Sequence, residues 1–523
     1  MPPKKQNESL ILGLAALITG GILVGGWWSY QAGLLPGSPA SGGFTSTQAN
    51  NPNVRVTLKA LGDTFSGYST LRSEAFQASL AERGVGLAYA DEFDQRARAQ
   101  AMTEGRIDLL VTSLDQYLTH QPAGKIVALI DRTVGADAVV LNTQAYPQLQ
   151  SLLDLEQLVA EQQAQGQKLK IVYAGDTPSE FLALILNTRF DNFNLADFEV
   201  ETVDDASTAW QRMQQDRRVA IAVLWEPYVT TAQQQGNTVV LSSADAPGSI
   251  VDVAVASDRL LQSNPQAVKD FVEAYYRRID ASLQDRDLIP RQIAADGNLD
   301  PAAAQTVASG IEFFTSVEAQ NWMESGTLSQ RIGAIAGLLV LAGRLPAPPA
   351  APQDLYTADY LTAVAQQTAG LIDLIAQDNP ELAERLQTSR AEEVVQASAQ
   401  QMQQAPNIGN LTVQGEVQFQ TGSAQLTAVG QQTLDRLAAE ISEFSAANVG
   451  IKVQGHTSRT GPADLNQQLS QQRADVVVNY LRGKQLPHNF FAEGLGFSQP
   501  LPGSDPAAAV NQRTVIRLVR LGS

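Results

Sequence analysis

Between residues 53 and 367 short apolar segments alternate with helix-forming stretches, and that order leaves few folds open. Val54-Arg55-Val56-Thr57-Leu58 reads as a strand, followed by a turn over 62–67 and a helix through Leu80. Ile107-Asp108-Leu109-Leu110-Val111-Thr112 is a second strand and 137–141 a third. Lys170-Ile171-Val172-Tyr173-Ala174 runs into Gly175-Asp176-Thr177-Pro178 and a further helix. Val219-Ala220-Ile221-Ala222-Val223-Leu224 ends in Trp225-Glu226-Pro227-Tyr228. Strands that are apolar on both faces need cover on both faces, so the alternation predicts parallel α/β sheets. Ligands of such sheets bind beyond the carboxyl ends of the strands.

A second, smaller α/β sandwich is predicted over 408–523, with a helical connector over 368–407. Residues 413–419 alternate as a strand, 427–444 read as a helix, 449–453 as a strand and 513–519 as a closing strand. Within 464–481, Leu465, Leu469, Val476 and Tyr480 recur at helical spacing and predict the buried stripe. Asn466, Ser470 and Arg473 form a polar row beside it. An arginine so close to an apolar stripe needs either an acidic partner, for which Asp475 and Glu493 are candidates, or an anionic ligand.

At the other end, Lys4 and Lys5 precede an uncharged apolar run over 10–28. As a helix it spans roughly 29 Å, about one bilayer core. Trp27, Trp28 and Tyr30 lie at its far end, where aromatic rings favour the headgroup level. The two lysines keep residues 1–9 in the cytoplasm, and the rest of the chain is exported. Residues 29–52, rich in Gly, Ser, Pro, Thr and Asn, read as a flexible linker. A cleaved signal peptide competes with this reading, with Gly37-Ser38-Pro39-Ala40-Ser41 as the cleavage site. The run is longer than the usual apolar core of about 7–15 residues, which favours an uncleaved anchor. The expected location is the inner membrane, single-pass, with the bulk of the chain in the periplasm. A later run over 334–342 is too short to span and reads as a core helix.

Composition excludes several functions. The net charge of −18 disfavours nucleic acid, whose phosphates need basic patches. There are no cysteines, hence no disulfides, thiolate metal sites or lipid-modified cysteine. The three histidines, His120, His456 and His488, are not spaced as metal pairs, and no cofactor is expected. No Gly-x-Ser-x-Gly elbow, His-Glu-x-x-His or Walker loop is present, so no enzyme is expected.

In the order of its segments the middle region resembles the type 2 periplasmic substrate-binding proteins of ABC transporters, in the nitrate, sulfonate and taurine branch. The residues that carry this are the loop 62–70, Asp131 with Gly135-Ala136-Asp137-Ala138-Val139-Val140, the loop 175–180, and Leu224-Trp225-Glu226-Pro227-Tyr228. The resemblance implies two α/β lobes closing on a small-molecule solute, with the chain returning to the first lobe near Val251-Asp252-Val253-Ala254-Val255. It also implies a possible ABC permease as partner. The candidate solute-binding residues are Thr64, Ser66, Tyr68, Ser69, Asp137, Thr177, Ser179, Trp225 and Glu226. Helix N-termini offer free N–H groups, so the Ser/Thr turns suit an oxyanion; as plain helix caps they bind nothing. Asp137, Asp176 and Glu226 favour an amine or cation instead. Trp225 and Tyr228 either stack on a ligand or pack the hinge. No basic residue stands between Lys59 and Arg72, which counts against an inorganic anion. Ligand charge stays open.

The C-terminal segment resembles the OmpA-like peptidoglycan-binding domain. The carriers are Gly455-His456-Thr457-Ser458, Asn466, Leu469-Ser470, Arg473-Ala474 and Asn511-Gln512-Arg513. The resemblance implies that diaminopimelate is gripped by an aspartate after the His-Thr pair and by an arginine. Arg473 fills the arginine's place, but Ser458 stands where the family has aspartate. That loss removes about 1.5–3 kcal/mol of charge-assisted bonding, or one to two decades in affinity. Asp464 is the candidate to compensate. The implied peptidoglycan set is Thr457, Ser458, Asn466, Arg473 and Arg513. The expected protein is thus a membrane-anchored fusion of two independently folded modules, binding a solute for ABC-type uptake and holding peptidoglycan. The rival is a structural wall tether or sensor whose solute domain is degenerate.

Overall fold

The computed structural model describes residues 44–521, except 47, 49–50, 379, 381–382, 384–393, 395 and 414. The expected anchor and most of the linker after it lie outside these residues. Among the described residues no helix is long and apolar enough to cross a membrane. The apolar run over 334–342 falls in the helix Thr327–Leu341, whose Ile332, Ile335, Ala336 and Leu339 are buried.

Among the described residues fifteen strands form three sheets. In chain order the first ten are β1 Val56–Gly62, β2 Val85–Asp91, β3 Leu109–Ser113, β4 Gly124–Thr133, β5 Asp137–Leu141, β6 Lys170–Ala174, β7 Glu199–Val203, β8 Val219–Trp225, β9 Thr238–Ser242 and β10 Val251–Ser257. With β11 Ile311–Phe313, the first lobe has the order β11-β4-β10-β3-β1-β2. The second lobe is β7-β6-β8-β5-β9. The chain passes between lobes twice, at 134–136 and at 243–250.

The sheets are mixed rather than all parallel. β10 runs antiparallel to β3 and β4, and β5 antiparallel to β8 and β9. The cause is the crossing itself. A strand that enters a lobe from the cleft runs away from the cleft, against the strands that end there. The helix Thr327–Leu341 then lies across both lobes, touching the helix Leu114–His120 of the first and Pro178–Arg189 of the second. The helix Thr362–Asp378 runs through the expected boundary at 367 and packs on the first lobe, where the Thr368 hydroxyl donates to Asp280 Oδ2 at 2.5 Å.

The third sheet has the order β12-β15-β13-β14, built from β12 Asn407–Asn410, β13 Val449–Gly455, β14 Phe490–Gly494 and β15 Thr514–Arg520. The strand expected over 413–419 does not form. Gly415 sits at φ 106°, which an extended strand does not adopt, and the pairing strand lies earlier, at β12. The helices Ala428–Ile441 and Ala463–Arg482 bury Leu434, Leu437, Ile441, Val477 and Leu481 with this sheet.

The C-terminal unit does not hang free of the lobes. Arg520 of β15 grips the fully buried Asp245 with two bonds, at 2.8 and 3.0 Å. The Ser445 N–H donates to Asp245 O at 2.8 Å, and Asn448 Nδ2 to Ala244 O at 2.9 Å. Asp245 and Ala244 belong to the second crossover. Phe444 meets Phe190 edge-on at 6.1 Å, and Arg331 pairs with Glu443. The small unit, expected as an independently folded module, is seated on the segment that joins the lobes.

Candidate functional site

The register of the first lobe gathers acids at its cleft edge. Asp252, near the start of β10, pairs across to Ser113 at the end of β3 and to Asp131 near the end of β4. The Tyr68 hydroxyl, from the loop after β1, donates to Asp252 Oδ1 at 2.5 Å. Asp131 is fully buried, and among the described residues neither of its oxygens has a hydrogen-bond partner. Asp115 and Gln116 open the next helix. Gln116 Nε2 donates to Asp115 Oδ2 at 2.8 Å, while Asp115 Oδ1 and Gln116 Oε1 are buried with no partner.

Burial dominates the titration of this group. It pushes Asp252 up to about 7 although the Tyr68 bond pulls the other way, and Asp131 rises well above the carboxylate range through burial and the adjacent Asp252. Asp137, at the head of β5, is likewise pushed up to about 7 by burial, opposed by the Thr133 hydroxyl and reinforced by Glu226 and Asp115. These acids set a pH dependence. Unfolded carboxyls titrate near 3.9, so between about pH 4 and 7 the folded state holds the extra protons. Stability then falls as pH rises through this window, most steeply near 7, where Asp252 and Asp137 lose their protons. Thermal melts without added solute should show Tm roughly 3–5 °C lower at pH 8 than at pH 5. An equal or higher Tm at pH 8 would contradict the buried cluster.

The other residues expected at this site divide by role. Thr64 is exposed and Ser66 half-buried. Ser69 is held by Gln292 Nε2 at 3.2 Å, which also bonds the Thr70 hydroxyl at 2.7 Å. Thr177 caps the helix Pro178–Arg189, accepting from the Ser179 N–H at 3.2 Å and donating to Ala174 O. Ser179 Oγ is buried without a partner. Trp225 is half-buried opposite Asp137 across the β5–β8 ladder. Glu226 accepts from the Thr230 N–H and hydroxyl at 3.1 and 2.7 Å and so caps its own helix. Tyr68 and Asp137 therefore join the cluster, whereas Ser69, Thr177 and Glu226 are taken up by local structure. Asp115, Asp131 and Asp252 belong to the same buried cluster and were not among the residues expected at the site. Their signal was a lone acid inside apolar runs such as Val251-Asp252-Val253.

A second site is built on the C-terminal sheet. β13 ends at Gly455, where an added Cβ would run into Ser470 O, so the helix Ala463–Arg482 lies directly on the strand. That contact turns the polar row inward. Asn466, Ser470 and Arg473 are buried with Ala474 and Val477, while Leu465 is 61% exposed. The expected apolar stripe is thus not the buried face, because an approach this close admits only small groups at Ser470. Asn466 Nδ2 donates to Thr460 O and Pro462 O at 2.9 and 3.1 Å, holding the loop after β13. The Ser470 hydroxyl accepts from the Gly496 N–H at 2.9 Å.

Arg473 donates from Nε to Ser423 O at 3.1 Å, with its guanidinium 5.0 Å from the Phe419 ring centre. Among the described residues it makes no ion pair. Asp475 instead accepts from Gln471, and Glu493 from Gln454, so the acidic-partner alternative fails. Arg513 donates to Gln499 O at 3.1 Å, and its Nη1 is buried without an acceptor. Thr457 Oγ1 is also buried and unpartnered. Ser458, fully buried, is bonded to the Thr460 hydroxyl at 3.0 Å and to Gln512 Nε2 at 3.1 Å. His456 is pushed down to about 4 by burial and by Arg513 and Arg517, so it is neutral at pH 7. Asp464 cannot stand in for the family aspartate. It precedes Arg473 by nine residues, about two and a half turns, which puts it on the opposite face of the helix. The site thus presents two arginines with unused donors and no acid of its own.

Residues 418–514 match the OmpA family. Outer membrane protein A of Shimwellia blattae is 38% identical over 96 residues, covering 18% of this chain and 40% of that protein. The chain therefore spans about two fifths of that relative's length. The lobes align with solved structures at lower similarity. The periplasmic aliphatic sulphonate binding protein SsuA from Escherichia coli aligns with 58% of this chain and 92% of its own, at 14% identity and a TM-score of 0.44. The periplasmic nitrate-binding protein NrtA from Synechocystis PCC 6803 aligns with 63% and 92%, at 12% identity and a TM-score of 0.46. The mixed α/β, two-lobed architecture itself rests on the strand order and crossovers above.

Proposed function

We propose that this chain is a cell-envelope binding protein that takes a small solute between its lobes and holds peptidoglycan through its OmpA domain. The observation that carries the reading is Arg473, buried at the family's ligand position with no internal carboxylate to neutralise it. A buried guanidinium without a counter-charge is costly, and a stem-peptide carboxylate relieves that cost. The two-lobed fold supports delivery of the solute to an ABC permease. The uncharged run over 10–28 supports an inner-membrane anchor with the folded parts in the periplasm.

A sensor role is the second reading, favoured by the seat of the OmpA domain on the crossover at 243–250. A wall ligand and a lobe movement would then act on one segment.

Anchoring has its own test. Deletion of residues 1–30 should move the protein from the membrane fraction to the soluble fraction. A full-length chain that is already soluble, or a truncated one that still sediments with membranes, counts against an anchor.

A further inference from the structure

We propose that the solute is an organic cation bearing several N–H donors, an alkylammonium or guanidinium compound, bound by Asp131, Asp252, Asp115 and Asp137 between the lobes. This rests on the solute-binding reading above and names its ligand class. Hydroxyl donors are present, since those of Ser69 and Thr70 accept from Gln292 and keep their own hydrogens, and among the described residues those of Ser113, Thr133 and Ser179 are buried without a partner; an oxyanion would nonetheless stand against the carboxyls of Asp115, Asp131, Asp137 and Asp252. Arg98, the arginine beside Tyr68, is engaged by Asp63 at 2.9 Å and by the carbonyls of Val111 and Glu92. What the cleft holds in excess is acceptors. Both oxygens of Asp131, Asp115 Oδ1 and Gln116 Oε1 are buried and receive no N–H from any described residue. Buried acceptors without donors are costly, and buried carboxylates without a cation more so. A ligand with several N–H groups supplies both at once.

The ligand-free arrangement fits this reading. Asp131 and Asp252 face each other across the β4–β10 ladder, and with no cation between them burial favours the neutral form of both. The groups that face the pair are Tyr68, Tyr275, Asp63 with Arg98, Asp115, and Asp137 with Glu226 behind it. Among the described residues no three His, Asp or Glu side chains are arranged to hold a metal ion, which favours an extended organic cation over a compact inorganic one.

The test is thermal shift and calorimetry on the full chain at pH 8, with putrescine and agmatine as probes. Methanesulfonate, nitrate, calcium and tetramethylammonium are the comparisons. At a hundredfold excess over Kd, putrescine or agmatine should raise Tm by roughly 5 °C. Tetramethylammonium, a cation without N–H donors, should not. Binding should weaken from pH 8 to pH 5, as the facing carboxyls take up protons. Asp131→Asn should weaken the amine roughly 30-fold, and Asp115→Asn should weaken it as well, with circular dichroism reporting that each variant is folded. Stabilisation by methanesulfonate, nitrate or calcium without stabilisation by either amine overturns the cation assignment and leaves a solute-binding protein. Equal binding of tetramethylammonium overturns the requirement for N–H donors. Silence from every probe takes the solute-binding reading down as well.

Discussion

Arg520→Ala should destabilise the folded chain by roughly 3 kcal/mol, because it strands a buried carboxylate at the joint between the lobes. Asp245 is fully buried and receives both guanidinium bonds of Arg520, at 2.8 and 3.0 Å. Its remaining bonds come from the Ser242 N–H and hydroxyl, at 2.7 and 3.0 Å. Those two keep Asp245 in place but leave its charge uncompensated. Arg520 also donates to Val240 O at 3.2 Å, so the variant removes a bond to the middle of β9 as well. Arg520→Lys should recover only part of the loss, since an ammonium cannot reproduce the fork that spans both oxygens. Urea melts of the three proteins measure this. A midpoint for Arg520→Ala within about 0.5 kcal/mol of wild type would mean that the OmpA domain does not sit on the crossover in solution.

Arg473→Ala should weaken binding to purified sacculi by one to two decades, corresponding to about 1.5–3 kcal/mol of charge-assisted bonding. The fold should survive the change. Arg473 has one internal hydrogen bond, to Ser423 O, and a ring contact with Phe419, but no ion pair whose partner would be stranded. Burial holds its guanidinium below the usual arginine range, the direction expected for a cation without a neighbouring carboxylate. Arg473→Lys should bind better than Arg473→Ala but worse than wild type, because the planar fork is lost while the charge is kept. Undiminished sacculus binding by Arg473→Ala, with an unchanged melting curve, would falsify its assignment as a ligand residue. Ser458 sets the ceiling on affinity. With the family aspartate absent and Asp464 on the far side of the helix, the ligand's amine finds no carboxylate here. Ser458→Asp should strengthen binding of an amine-bearing stem peptide, provided that Gln512 yields its bond to residue 458.

The two lobes were legible because each apolar segment that became a strand is a local pattern, and patterns of that kind survive folding. β3, β6 and β8 fall on the runs that announced them. The direction of β5 and β10 was not legible, since it depends on which side of a lobe the chain enters. Tyr68 and Asp137, singled out through their place in the segment order, lie in the buried acidic cluster. Asp131 and Asp252 meet only through the β4–β10 ladder, and no spacing within either segment announces that pairing. Hydropathy misled on the helix Ala463–Arg482. There the backbone contact at Gly455 buries Asn466, Ser470 and Arg473 and leaves Leu465 outside, a choice made by shape rather than polarity. The joint between Arg520 and Asp245 was invisible for the same reason as the acid pair. It is a long-range ion pair whose members look like ordinary surface charges along the chain.

Co-sedimentation of the full chain with purified sacculi tests the account most directly. The expected result is wild type in the pellet and Arg473→Ala in the supernatant. Wild type left in the supernatant under conditions where an outer membrane protein A control pellets would contradict it.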